Sequence, residues 1–376
     1  MLKNLKKFFR SSYTPLNTIV ISRKNLLHNY RYISSINPSI KIAPVVKSNG
    51  YGHGIAIVGK VFDTVGAPFI CVDSLFEAYQ LHNSKIKTKI LVMGSIAKEN
   101  LSIKKLPFSY SVYDKEMLGT ITKYQSHAGI HLFVDTGLHR EGVLLDELPG
   151  FLEEIKKRKL NLEGLMSHFA ETEKPKGELT REQIKNFAKA QEVVASFGLQ
   201  PKFIHIAASG GILQSKNLDT KKLGNIARVG LSLYGVFPNE TDINLAPALT
   251  LTTTITQLKD IKKGDTVGYS GTFTASSDMT IAVLPIGYND GLDRRLSNKG
   301  VVIIDGQGRK ILGKVSMNIT TVDVTGMFNP FVGQKVIVYS NNPKDKNSIE
   351  NSAKLCNDIA YDLLIHLNPA TKRVIV

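Results

Sequence analysis

The chain has 376 residues, 42% of them hydrophobic and 21% charged; this is core material for two globular domains and excludes a largely disordered chain. Its net charge of +16 would suit nucleic acid or an anionic membrane, but Lys and Arg are scattered, the one basic run is Lys3 to Arg10, and no nucleic-acid-binding motif accompanies them. Two distant cysteines, Cys71 and Cys356, give neither a disulfide framework nor a zinc site, and the lack of a signal-like h-region or an 18-residue apolar run points to a cytoplasmic protein that uses no membrane.

In chain order, residues 1–16 read as a basic N-terminal extension. Residues 17–240 then alternate short apolar runs with helix-period segments. The runs are 41–47, 68–73, 89–94, 108–114, 129–135, 162–168, 202–209 and 225–230, and amphipathic stretches such as 74–82, 148–159 and 180–198 lie between them. Apolar strands alternating with helices predict a parallel sheet covered on its outer face, and eight such units predict a (β/α)8, TIM-like barrel, giving an α/β fold class. Neither a Gly-x-Gly-x-x-Gly nor a phosphate loop of the Walker type supports a nucleotide-binding sheet instead. From 241 to 376 the runs at 250–261, 279–288, 300–306, 313–325 and 335–340 are β-branched and separated by Gly, Asp, Asn and Ser, which predicts a mainly antiparallel β domain. The segment Asn17 to Arg23 is strand-like and suits either domain, although the 17–240 boundary places it with the barrel.

Catalytic groups of such a barrel sit at the C-terminal ends of its strands. Those ends carry Lys47, Asp73, Asp114, Asp135, His168, Ser209, and Gly230 with its neighbour Arg228. Lys47 follows Ala43-Pro-Val-Val46 and precedes Gly50, Gly52 and Gly54, so it reads either as a solvated surface lysine or as a nucleophile at a strand end where the chain passes close to a ligand. Arg140, in Asp135-Thr-Gly-Leu-His-Arg140-Glu-Gly142, suits a carboxylate or phenolate-like oxygen; the alternative is a surface pair with Glu141 or Asp135. His168 reads as a packed histidine or a site residue. Ser209-Gly-Gly211 and Arg228-Val-Gly230-Leu231 fall after strands seven and eight, where phosphate sites recur in these barrels. Tyr269, among small residues in the β domain, is a poor base unless cations or histidines shift its phenol down.

Taken together, these motifs resemble the alanine racemases of the pyridoxal-phosphate, fold-type III class, from about residue 17 to the C-terminus. Val45-Val-Lys-Ser-Asn-Gly-Tyr-Gly-His-Gly54 is similar to the family's cofactor-lysine signature, and Pro285-Ile-Gly-Tyr-Asn-Asp-Gly291 with Arg294 and Leu296 to Gly300 resembles its β-domain signature. The resemblance implies pyridoxal 5'-phosphate as cofactor, held by Lys47 as an internal aldimine. It implies Lys47 as base on one substrate face and Tyr269, supplied by a partner subunit, on the other. Tyr51, Ser209, Gly230, Leu231 and Tyr361 match positions that hold the phosphate. His168 matches the residue near the cofactor ring that bonds the tyrosine; Arg228, supported by His205, matches the one at the pyridine nitrogen; Arg140 and the Met317 backbone match the substrate carboxylate site. The implied enzyme interconverts L- and D-alanine, for peptidoglycan, as a head-to-tail homodimer with composite sites.

This sequence departs from the family's pattern at three places. Phe133 stands where many members carry a lysine, often carbamylated, that orients the arginine seven residues on; Asn318 and Ala208 replace the commoner Asp and Asn. A racemase of broader amino-acid range, and a non-catalytic homologue that binds the cofactor, are the competing readings. A fold-type III decarboxylase fits less well, because such enzymes use a cysteine-containing segment of the β domain and Cys356 falls in a helical stretch.

Overall fold

The structure is a computed structural model that describes residues 14–172, 174–236 and 243–376. Residues 1–13 of the expected basic extension and 237–242 at the expected domain junction lie outside the described residues. The described residues fall into two compact units, one within Arg23–Pro247 and one made of the strand segment up to Ser22 with Ala248–Val376.

One strand falls on the other side of the expected boundary. Strand β1, Thr18–Ile21, pairs antiparallel with Leu249–Thr254 and parallel with Lys372–Ile375, so it belongs to the β unit rather than to the barrel. The physical reason is its alternation: Ile19 and Ile21 are fully buried while Thr18 and Val20 are half-buried, as suits a sheet with one covered face. Barrel strands are buried at nearly every position.

In the barrel unit all eight expected strands form: β2 (Lys41–Pro44), β3 (Ile70–Val72), β4 (Ile90–Val92), β5 (Phe108–Val112), β6 (Gly129–Phe133), β7 (Asn161–Met166), β8 (Phe203–His205) and β9 (Ile226–Val229). β3 to β8 make a six-stranded parallel sheet and β2 pairs in parallel with β9. Backbone bonds close the ring, from Val46 N–H to Cys71 O (2.9 Å) on one side and from Asn225 and Arg228 N–H to Ile204 and Ala207 O (both 2.9 Å) on the other. The helices Leu75–Asn83, Leu148–Lys157 and Glu178–Ser196 bury one stripe each, such as Phe151, Leu152 and Ile155 of the second. Each regular strand stops one to four residues before the sequence-expected end, so the chemically loaded residues, Arg228 within β9 excepted, occupy the loops just beyond. Asp114 is one that serves structure: it caps the helix Lys115–Tyr124, accepting from Met117 N–H at 2.6 Å.

The β unit holds a nine-stranded sheet in which only the pair formed by β1 and Lys372–Ile375 is parallel. Its strand Gln307–Leu312 is absent from the sequence reading because it is polar; it follows Val301–Ile304 through Asp305-Gly306, both at positive φ (48° and 74°). That dipeptide is a strong two-residue hairpin signal.

Candidate active site

The glycine-rich stretch after β2 folds in an unusual way. Lys47–Tyr51 forms one short helical turn in which Ser48, Asn49, Gly50 and Tyr51 all have positive φ, between 50° and 63°. Left-handed backbone costs about 1–2 kcal/mol at each non-glycine residue, so neighbours must hold it. The buried Glu77 carboxylate accepts from Ser48 N–H (2.6 Å), Asp73 N–H (2.9 Å) and Ser74 N–H (3.3 Å), and Asn49 Oδ1 accepts from Ile55 N–H (3.0 Å). Glu77 also closes a capping box with Ser74 at the start of its own helix. Replacing Glu77 with alanine is therefore expected to destabilise the chain by about 2–4 kcal/mol, because it strips a charged acceptor from three backbone donors; urea unfolding reads this, and a loss under about 0.5 kcal/mol would mean the turn holds itself.

Lys47 emerges from that turn half-exposed, its Nζ 3.4 Å from Asp73 Oδ1. Tyr51 is buried and stacks at a tilt on Tyr234 (5.1 Å), whose hydroxyl donates to Val45 O (3.0 Å). Its own hydroxyl lies over Gly230, where a Cβ would come within 2.4 Å. Gly230 N–H in turn donates to Ser209 Oγ (3.2 Å), and Leu231, buried, opens the 3₁₀ turn that follows. Tyr51, Ser209, Gly230 and Leu231 thus meet at one place at the ends of β2, β8 and β9.

Arg228 is the centre of the site. It is buried, and its four terminal N–H groups are all committed: Nη1 to His205 Nδ1 (2.6 Å) and His205 O (2.8 Å), Nη2 to Ser167 O (2.6 Å) and His168 Nδ1 (3.1 Å). Nε–H is the donor left for something other than the described residues. Burial lowers the guanidinium to about 10, so it remains a cation at neutral pH. Burial, with Arg228, Arg140 and Lys47 nearby, takes His168 down to about 3, and burial with Arg228 and His131 takes His205 well below its ordinary value. Both are neutral imidazoles whose Nδ1 accepts from arginine, so each carries its proton on Nε2.

Arg140 forms one of the pairs weighed for it, with Glu141. Its Nε and Nη2 form a fork with Glu141, the Nη2 contact being 2.7 Å, and it is largely exposed. Asp135 does not pair with it; Asp135 Oδ1 accepts from the Gly137, Leu138 and His139 N–H groups (2.9–3.1 Å) and so shapes the loop that presents Arg140. Phe133 is buried, edge-on to Tyr113.

In the β unit, Tyr269 sits in a tight turn with Gly268, Ser270 and Gly271 at positive φ, its side chain 69% exposed. The Pro285 to Gly291 signature lies against Ser316 and Met317: Tyr288 N–H donates to Ser316 O (3.0 Å) and Asn289 N–H to Met317 O (2.9 Å). Gly287 is required there, since a Cβ would fall 2.1 Å from Ser316 O. Tyr361 is half-buried in the helix Ala360–Ile365. The sequence reading missed Glu77, Ser167 and His131, the last hydrogen-bonded to His205; polar residues inside or just beyond apolar runs were the available signal.

Comparison with known proteins decides the family. The models described as "Alanine racemase, N-terminal domain" and "Alanine racemase, C-terminal domain" match residues 21–238 and 248–375. The chain belongs to the alanine racemase family. Its relatives include the alanine racemase of Sorangium cellulosum, 31% identical over 371 residues covering 94% of this chain and 97% of that one, and that of a Geobacter species, 33% identical and covering 93% and 95%. The solved alanine racemase of Clostridium difficile superposes with a TM-score of 0.90 at 26% identity, covering 97% of both chains. The alanine racemase fold and the family's cofactor, pyridoxal 5'-phosphate, follow from this membership.

Proposed function

We infer that this protein is a pyridoxal 5'-phosphate-dependent isomerase that interconverts L- and D-alanine. The observation that carries the reading is the buried Arg228, with one donor uncommitted, in a chain matched by both family domains. The residues fit the cofactor. Lys47 offers a half-exposed amine beyond β2, and the Ser209, Gly230, Leu231 and Tyr51 cluster suits a phosphate, with Tyr361 assigned to the same group by resemblance. Arg228 Nε–H suits a ring nitrogen, and His168 lies beside it.

When bound, the cofactor withdraws electrons from the substrate Cα and so acidifies its proton. The chain's residues then decide the outcome. Racemisation takes the proton from one face and returns one to the other, so it needs two bases, and Lys47 and Tyr269 hold those roles. Arg228, a permanent cation that only donates, offers the ring nitrogen no proton to keep and so favours return of the Cα proton over competing paths. Arg140 keeps Nη1 for the substrate carboxylate because Glu141 occupies its other edge, and the Met317 backbone serves the same group.

In this reading the working unit is a head-to-tail homodimer in the cytoplasm, with Tyr269 of one copy serving Lys47 of the other, and the product supplies peptidoglycan. The exposed Tyr269 supports that arrangement, and no described helix is long and apolar enough to cross a membrane. Buried Phe133 supports a second reading, a broader amino-acid racemase, since it replaces the orienting lysine. Chiral chromatography of products from L-alanine, L-serine, L-lysine and L-arginine separates them: alanine is expected to turn over about tenfold faster or more, and equal or faster lysine or arginine turnover would establish the broader enzyme.

A further inference from the structure

Beneath Arg228 a second set of polar side chains runs down the barrel interior. His205 Nε2 lies 2.8 Å from His131 Nδ1, and His131 Nε2 lies 3.7 Å from Glu163 Oε2. Glu163 is held by Lys89 Nζ at 2.5 Å and by Ser109 Oγ at 2.8 Å. His131 and His205 are fully buried; Lys89, just ahead of β4, reaches solvent. Burial alone would raise the Glu163 carboxyl, but His131, Lys89 and Ser109 overcome it and bring it down to about 2, while burial keeps His131 below its ordinary value.

The proton positions along this row are determined one after another. Arginine only donates, so His205 Nδ1 accepts and its proton is on Nε2. That proton points to His131 Nδ1, which must accept, so the His131 proton is on Nε2 and faces the carboxylate. The barrel is shaped around the row: a Cβ at Gly164 would lie 2.3 Å from His131 Nδ1, and a Cβ at Gly129 would lie 2.1 Å from Glu163 Oε2. Plain packing does not require it, because His131 sits between Phe69 (5.2 Å) and Phe203 (5.9 Å), a setting that would accept a phenyl ring.

We propose that His131 and Glu163 are positioning residues that, through His205, fix the orientation of Arg228. With His131 accepting, His205 presents a bare Nδ1 to the guanidinium; with the His205 proton on Nδ1 instead, two donors would face each other and the fork would swing, carrying Nε–H with it. The functional consequence rests on the racemase reading, but the proton arrangement does not.

The test uses the full chain with ¹⁵N-labelled histidine, read by long-range ¹⁵N–¹H NMR without cofactor, followed by kinetics of the loaded protein. In the wild type His205 and His131 should both show protonated Nε2 and bare Nδ1. His131→Asn keeps an acceptor and loses the ring; His131→Phe keeps the ring and loses the acceptor. His131→Asn should retain the His205 pattern and turnover within about threefold, and His131→Phe should disturb both, lowering kcat about tenfold with KM nearly unchanged. The opposite ranking, with phenylalanine tolerated and asparagine impaired, would show a packing role and overturn the proposal, as would a wild-type His205 protonated on Nδ1. Should His131→Phe fail to fold, Glu163→Gln gives an independent readout: the His131 lines should move toward mixed tautomers, and unchanged lines would remove Glu163 from the row. Absence of wild-type turnover with the NMR pattern intact would count against the racemase reading alone.

Discussion

Lys47→Ala is expected to lose racemisation by about 10³-fold or more, together with the absorbance band and borohydride-trappable adduct that form when pyridoxal phosphate is added to the wild type. The fold should tolerate the change. The Lys47 side chain is 39% exposed and its ion pair to the exposed Asp73 is of the kind worth at most about 1 kcal/mol. The left-handed turn that presents it is held by Glu77 and Asn49, not by the lysine amine. Absorbance titration, borohydride reduction with peptide mass mapping and a thermal melt separate the two effects. A variant that kept the band and the turnover would remove Lys47 from the chemistry.

Tyr269→Phe is the second large effect. It deletes one hydroxyl from an exposed side chain, so stability should hold. Racemisation should fall by about 10²–10⁴-fold, yet the loss should be asymmetric: exchange of the Cα proton with solvent should persist for the enantiomer whose proton faces Lys47 and fail for the other. Following each enantiomer separately by mass spectrometry in deuterated water reads this directly. Equal loss for both, or loss for neither, would contradict the assignment of opposite faces to the two residues.

Much of the barrel was legible because its strands are buried on both faces, which writes them as continuous apolar runs; all eight were found. Their ends were read one to four residues too late because the apolar composition continues past the last regular pairing, as at Val45 and Val46 beyond Pro44. β1 was assigned to the barrel because chain order outweighed its alternating pattern, and Gln307–Leu312 was missed because pairing across Asp305-Gly306, rather than hydrophobicity, makes it a strand. At the site, Arg228 and His168 could be named from their positions and His205 from the family resemblance, but not their fork and its fixed tautomers, which depend on contacts between separate strands. Glu77 was hidden for a similar reason: its partners lie on two loops, up to 29 residues away in sequence. Arg140 was left between two readings, and the structure pairs it with Glu141.

The most direct test of racemisation is to load the full chain with pyridoxal phosphate, supply L-alanine in deuterated water, and follow deuterium at Cα and formation of the D-isomer. The expected result is D-alanine that carries deuterium at Cα, at an appearance rate abolished by Lys47→Ala. No Cα exchange with alanine, or with any other amino acid tried, would contradict it.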